Sequence, residues 1–216
     1  MFVTETHCHT RELSACGRAS AEAMIEAAYC AGLDALIITD HHVVFPQEEL
    51  RRLADQLGAH DLVILSGFEA ATYRDGEFYG DFLVLGADHA SSRCEPEELV
   101  EAVHDAGGAL VAAHPCRWGT GPNEEVLQLG VDGVEVLNGN NSDSENALAQ
   151  HLAVNGGLPT TGGSDAHRTE QVGRYVTVLE RRIAHISEFI AELRAGRVRP
   201  AIGEDVLRTA QPRRMR

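Results

Sequence analysis

The chain has 216 residues, 44% of them apolar, which suits one domain with a sizeable core and at most a small appendage. Asp and Glu number 33 against 18 Lys and Arg, a formal charge of −15, which argues against a generic nucleic-acid or anionic-membrane surface but not against nucleic-acid chemistry in a pocket. Five cysteines with no Cys-x-x-Cys argue against a disulfide framework or a structural zinc knot, so reduced thiols and a cytoplasmic location are expected.

The segment "FVTETH" (2–7) reads as a strand and not as a signal peptide, because it lacks a charged region followed by an apolar one. "ASAEAMIEAAYCAG" (19–32) predicts a helix with Ser20 as N-cap and Gly32 as its stop. "ALIITD" (35–40) is a short apolar run typical of a strand buried on both faces. A helix opening on Pro46 and closing on Gly58 follows, then strands over 62–70 and 81–86. The pattern continues with a helix over 96–108, a strand over 109–114, a short helix over 123–130 and a strand over 133–138. The last elements are a helix over 143–157, a strand over 159–165, a strand over 174–179 and a helix over 184–196. No apolar run approaches a membrane span, and no membrane partner is expected. The residues after Pro200, with Arg208, Arg213, Arg214 and Arg216, read as a poorly packed tail.

This βαβα order predicts a parallel sheet with helices outside. Ionisable or amide residues follow nearly every strand: His7 and His9, Asp40 and His41, Glu69, His114, Asn138, then Asp165 and His167. Such strand ends meet at one point in a closed barrel but lie too far apart in an open sheet, so a barrel over residues 1–200 with a tail over 201–216 is expected.

Taken singly, most of these groups have ordinary explanations. "TDHH" makes a polar turn, "AHP" ends a strand, and "SDAH" supplies a helix N-cap. Glu69 is different, because a carboxylate in an apolar strand is costly unless it is paired or metal-bound. Imidazole and carboxylate together suit Zn²⁺, Mn²⁺ or Fe²⁺. Two ions about 3.5–4 Å apart can generate hydroxide, orient it and neutralise a phosphoryl oxygen.

In this order, "THCHT", "ITDHH", "GFEA", "AHP" and "GSDAH" resemble the motifs of the PHP (polymerase and histidinol phosphatase) family, over roughly residues 3 to 200. The likeness is greatest to its small stand-alone members. The resemblance implies a distorted, TIM-like (β/α)7 barrel in the α/β class, with two to three divalent metal ions at the strand C-termini and hydrolysis of phosphate esters. It places the first ion on His7, His9, Glu69 and Asp165, and the second on Glu69 and His114. The third falls to His41 and His167, with Asp40 as a ligand or as a partner of His41. His41, Asp165 and His167 are the residues expected to act in catalysis. Asp81 stands where the family often has a metal-binding histidine, and Glu12, Ser14 or Cys16 is the expected extra ligand for the third ion. Arg117 is expected to hold the substrate phosphate and Asn138 to touch substrate, with Glu135 in the barrel interior.

The expected substrates are phosphomonoesters of small metabolites or nucleotides, attacked by a metal-bound hydroxide. Diesters in short oligonucleotides are the alternative, and a degenerate metal-binding barrel without turnover is the non-enzymatic rival. An amidohydrolase-type barrel also begins with His-x-His, but it usually bridges its metals with a lysine, and this chain contains no lysine.

Overall fold

A computed structural model describes residues 1–117 and 124–207. The basic tail beyond residue 207 and most of the 117–122 loop lie outside the described residues. The first half of the chain forms β1 (Phe2–Glu5), α1 (Ala21–Ala31), β2 (Ala35–Ile38), α2 (Gln47–Gln56), β3 (Val63–Ser66), β4 (Phe68–Arg74) and β5 (Glu77–Leu85). It continues with α3 (Pro96–Asp105), β6 (Ala109–Ala113), a 3-10 turn (Glu124–Gln128), β7 (Gly133–Asn138), α4 (Asp143–Gly156) and β8 (Thr160–Gly163). The last elements are β9 (Tyr175–Leu179), α5 (Ile186–Arg194), β10 (Val198–Ile202) and α6 (Gly203–Leu207). None of these helices is long and apolar enough to cross a membrane.

Local chemistry sets several boundaries. The Ser20 hydroxyl accepts from the Ala23 N–H at the start of α1, and Gly32 ends it at φ +84°, a conformation that suits glycine. Ser142 and Glu145 form a reciprocal capping box at the start of α4.

Among the described residues the fold is mixed α/β, with two five-stranded sheets and six α-helices. One sheet runs β10-β9-β1-β2-β3 and the other β4-β5-β6-β7-β8. The expectation of a purely parallel sheet does not hold: β9 is antiparallel to β1 and β10, and β5 is antiparallel to β4 and β6. The ladders form two sheets and not one closed ring. Single-pair bridges, His41 to Glu69 and Cys8 to Ala166, join the sheets just past the ends of β1 and β2.

The switch between sheets explains why the strand expected over 62–70 is two strands. Gly67 sits between β3 and β4, and a Cβ there would lie 2.6 Å from the Val84 carbonyl oxygen. The missing side chain lets the chain leave one sheet and enter the other. The segment after Pro200 also departs from expectation, since Ala201 is buried in β10 and α6 follows.

The core lies between the sheets. Phe2, Ile37, Leu65, Leu83, Leu85, Val111 and Leu179 meet there, and Phe189 and Leu193 of α5 close its lower end. Alternation sorts the remaining faces. Leu36 and Ile38 pack with Met24 and Ile25 of α1, and Phe82 and Val84 with Leu99 and Val103 of α3. Val134 and Val136 turn to Ala149 and Leu152 of α4, so Glu135 faces the interior beneath the site.

Candidate metal centre

Six strands bring the ionisable groups together, four of them by residues that follow their ends. His7 and His9 follow β1, His41 follows β2, and Glu69 lies near the start of β4. Asp81 is in β5, His114 follows β6, and Asp165 and His167 follow β8. The backbone is left-handed at His114 (φ +31°) and Asp165 (φ +50°), a conformation residues with side chains rarely adopt and one that clusters at functional sites.

Glu69 is the hub. Its Oε1 lies 2.8 Å from His114 Nε2, and its Oε2 lies 3.1 Å from His41 Nδ1, 3.3 Å from His9 Nε2 and 3.4 Å from His7 Nε2. Asp165 Oδ1 lies 3.1 Å from His9 Nε2 and 3.6 Å from His7 Nε2. Donor atoms come within 4.8 Å of one another in the triads His7–His9–Glu69, His7–His114–Asp165, His9–Asp165–His167, Glu69–Asp81–His114 and His9–Cys16–His41. His41 and His167, expected to share a third ion, fall in different triads.

Asp40 is turned toward Thr10 and Ser14. No triad of described residues includes it. Its carboxylate is occupied by the Thr10 N–H (2.6 Å), the Thr10 hydroxyl (2.7 Å) and the Ser14 hydroxyl (2.6 Å), and not by the His41 ring. Ser14 spends its proton on Asp40, its oxygen accepts from the His41 N–H, and it lies 3.4 Å from His9 Nδ1. It can only accept there, which favours a proton on Nδ1 and leaves the His9 Nε2 lone pair facing Glu69 and Asp165.

His7 is held the same way. Its Nδ1 donates to Glu135 Oε1 at 3.0 Å, and Glu135 Oε2 accepts from the His114 N–H and from Asn138 Nδ2. A Cβ at Gly163 would lie 2.6 Å from both Glu135 Oε1 and His7 Cβ, so only glycine fits beneath this pair. His7 Nε2 is buried and makes no hydrogen bond. A buried ring nitrogen left unpartnered is costly. Facing two carboxylates, it fits a divalent ion as its missing partner.

The charges agree. Burial alone would raise Glu69 and Asp165, but the His7 charge and hydrogen bonds from neighbouring histidines hold both well below the usual carboxylate range. His7 shows the reverse: burial opposes its charge, yet Glu135, Asp165 and Glu69 raise its pKa well above normal. Burial lowers His41 to about 4 and also lowers His167. Burial, then Glu69, raises Asp81 to about 6.

Arg117 lies at the centre but is tied into it. Its Nη2 donates to Asp165 Oδ2 (2.5 Å) and Asn138 Oδ1 (2.8 Å), and its Nε donates to Asn141 Oδ1 (3.0 Å). Asn138, expected to touch substrate, is fully buried and spends its amide on Arg117, Asn140 and Glu135. It supports the site from beneath. Sequence reading missed Asn141, which holds Arg117, and Asn140, whose amide donates to the Asp165 carbonyl. The signal was the run "NGNN" (138–141) at a strand end, read only for its first residue.

Solved structures share this fold. A candidate metal-dependent phosphoesterase from Bifidobacterium adolescentis superposes with a TM-score of 0.63 at 17% identity, covering 77% of this chain and 88% of that one. An amidohydrolase from Chromobacterium violaceum, solved with sulfate and no metal, gives 0.66 at 17% identity over 94% and 99%. A lesion-specific endonuclease from Pyrococcus furiosus gives 0.59 at 14% identity, covering 90% of this chain and 56% of that one. In sequence, a family model described as PHP-associated matches residues 143–198, from α4 to the start of β10. Over that segment the chain is similar in sequence to PHP-associated proteins. An uncharacterised protein of Methanocaldococcus jannaschii is 28% identical over 128 residues, 57% of this chain and 67% of that one.

Proposed function

We propose that this chain is a PHP-family protein and a metal-dependent phosphoesterase acting on phosphomonoesters of small metabolites or nucleotides. The observation that carries the reading is His7 Nε2, buried without a hydrogen bond between the carboxylates of Glu69 and Asp165. His7, His9, Glu69 and Asp165 would hold one ion, and Glu69, Asp81 and His114 a second. His41, His167 and Cys16 are the remaining donors for a third. When bound, such ions supply an activated water and neutralise phosphoryl oxygens. Bridged at His41–Glu69 and Cys8–Ala166, the two sheets are read as halves of a distorted barrel, whose domain extends past residue 200 to take in β10 and α6.

The chain's own residues position and discriminate. Glu135 and Ser14 fix the ring orientations of His7 and His9. The Arg117 guanidinium adds a fixed cation beside Asp165, suited to a phosphate oxygen. His41 and His167, lowered by burial, are neutral near neutral pH. In that form they can ligate or accept a proton.

The charge of −15 favours a small substrate over a long polyanion. Short oligonucleotides are the second reading, favoured by the fold shared with a lesion-specific endonuclease. The test is protein loaded separately with Mn²⁺, Fe²⁺ and Zn²⁺ and assayed on monoesters, diesters and short oligonucleotides. Monoester turnover that depends on the metal and is lost in Asp165→Ala supports the proposal. Cleavage of oligonucleotides alone, or no turnover with any metal, overturns it.

A further inference from the structure

A cavity of about 430 Å³ adjoins the metal centre at His114, Asp81 and Arg117 and extends along β5 to the 3-10 turn. This lies in the range of small-ligand pockets, roughly 300–1,000 Å³. Phe78, Tyr79 and Phe82 line it, with Tyr79 stacked on Phe82 at an interplanar angle of 9°. Phe78 remains 48% exposed although it is a large apolar side chain. Glu124 and Glu125 stand at the outer end. Arg74 is shared between Glu125 and Glu97.

We propose that this cavity receives the organic part of the ester, and that it favours an aromatic group carrying no second negative charge. The proposal rests on the phosphoesterase reading and narrows its substrate class. Three observations carry it. The cavity begins at His114 and Arg117, so an ester whose phosphate sits at the centre has its carbon substituent beside this opening. Phe78, Tyr79 and Phe82 form part of the wall, with Arg74 over the Tyr79 ring at 4.4 Å, and aromatic rings prefer to pack against another ring. Away from Arg117, the carboxylates lining the space are Asp81, Glu124 and Glu125, of which Glu125 is paired with Arg74, so a second anionic group, such as the next phosphate of a nucleic-acid strand, meets repulsion from Asp81 and Glu124.

Gly80 makes the proposal testable. It lines the cavity, and a Cβ there would touch only the Phe82 ring, at 4.0 Å. Its backbone is not left-handed, so a larger residue fits without strain and takes up cavity space. Two measurements on metal-loaded protein decide. The first compares kcat/KM for benzyl, 4-carboxybenzyl and ethyl phosphate, whose bridging oxygens are all those of primary alcohols. The second compares binding of benzylphosphonate and ethylphosphonate by calorimetry, which needs no turnover.

Wild type should prefer benzyl over ethyl by about tenfold or more in both measurements, and benzyl over 4-carboxybenzyl. Gly80→Leu should bring the benzyl-to-ethyl ratio close to one with unchanged metal content. Phe78→Ala, at an exposed position, should lower the same ratio. A wild-type ratio near one, or a ratio that Gly80→Leu leaves intact, overturns the subsite whether or not the esters turn over. A binding preference lost in Gly80→Leu without hydrolysis of any ester keeps the subsite and overturns the phosphoesterase reading instead.

Discussion

Glu135 governs what His7 can do. It accepts a hydrogen bond from Nδ1, so Nε2, facing Glu69 and Asp165, is the nitrogen that can bind an ion once the ion displaces its proton. Glu135→Gln places an amide where the native carboxylate only accepts, so metal affinity should fall about 10- to 100-fold in a competitive chelator titration. Unchanged affinity would show that His7 is oriented by something else. Arg117 has two duties. Charge-assisted hydrogen bonds contribute roughly 1.5–3 kcal/mol, so Arg117→Ala should lower kcat/KM about 10- to 150-fold. Because the guanidinium also binds Asp165, metal affinity should fall as well, which a pure phosphate clamp would not cause. Lys at this position cannot reproduce the planar fork and should recover only part of the loss. Asp81, raised to about 6, gives a pH dependence. An ion between Glu69, Asp81 and His114 competes with the Asp81 proton, so affinity should fall as pH drops below about 6. Asp81→Asn should flatten that part of the profile; a slope identical to wild type would assign the titration elsewhere.

At the level of elements, Glu5 ties β1 to the strands beside it. Its Oε1 accepts from the N–H groups of Thr6, His7 and Ser164, and its Oε2 from that of Gly173. Burial pushes its pKa to about 7 against those hydrogen bonds. The folded value exceeds that of an unfolded carboxylate, so the fold retains a proton the unfolded chain has lost. This group's contribution to stability therefore falls as pH rises from about 4.5 to about 7. Glu5→Gln turns amide hydrogens toward N–H donors, a mismatch of about 1–3 kcal/mol. The melting temperature above pH 7 should drop by roughly 2–12 °C, and a rise instead would mean that the buried charge costs more than its hydrogen bonds return. Helices and most strands were legible because their signals are local: Ser20 and Gly32, Pro96 at a helix start, apolar runs ending in His or Asp. The sheet switch at Gly67 was not, because it depends on how close the Val84 carbonyl comes. The antiparallel placement of β5 and β9 was hidden for a similar reason, since an apolar run has the same composition in either direction.

For the whole molecule, ions held between the two sheets should act as a clasp, since Glu69 lies in one sheet while His7, His9 and His41 follow strands of the other. Ligand at 100 times its dissociation constant adds about 2.7 kcal/mol to the folded state, so chelation should lower the melting temperature by roughly 5–10 °C. Calorimetry with and without chelator checks this, and an unchanged transition would mean that no tightly held ion joins the sheets. The sequence by itself determined which residues carry the chemistry and where along the chain they fall, because strand periodicity and turn residues are written in neighbouring positions. Tertiary structure alone decided their partners. Asp40 turned to Ser14 and Thr10, Asn138 went beneath the site, and Arg117 reached Asp165, 48 residues away in sequence. Each outcome depends on which strands lie side by side and in what register. That choice is made by the packing of both sheets around one core, and no local stretch of sequence records it.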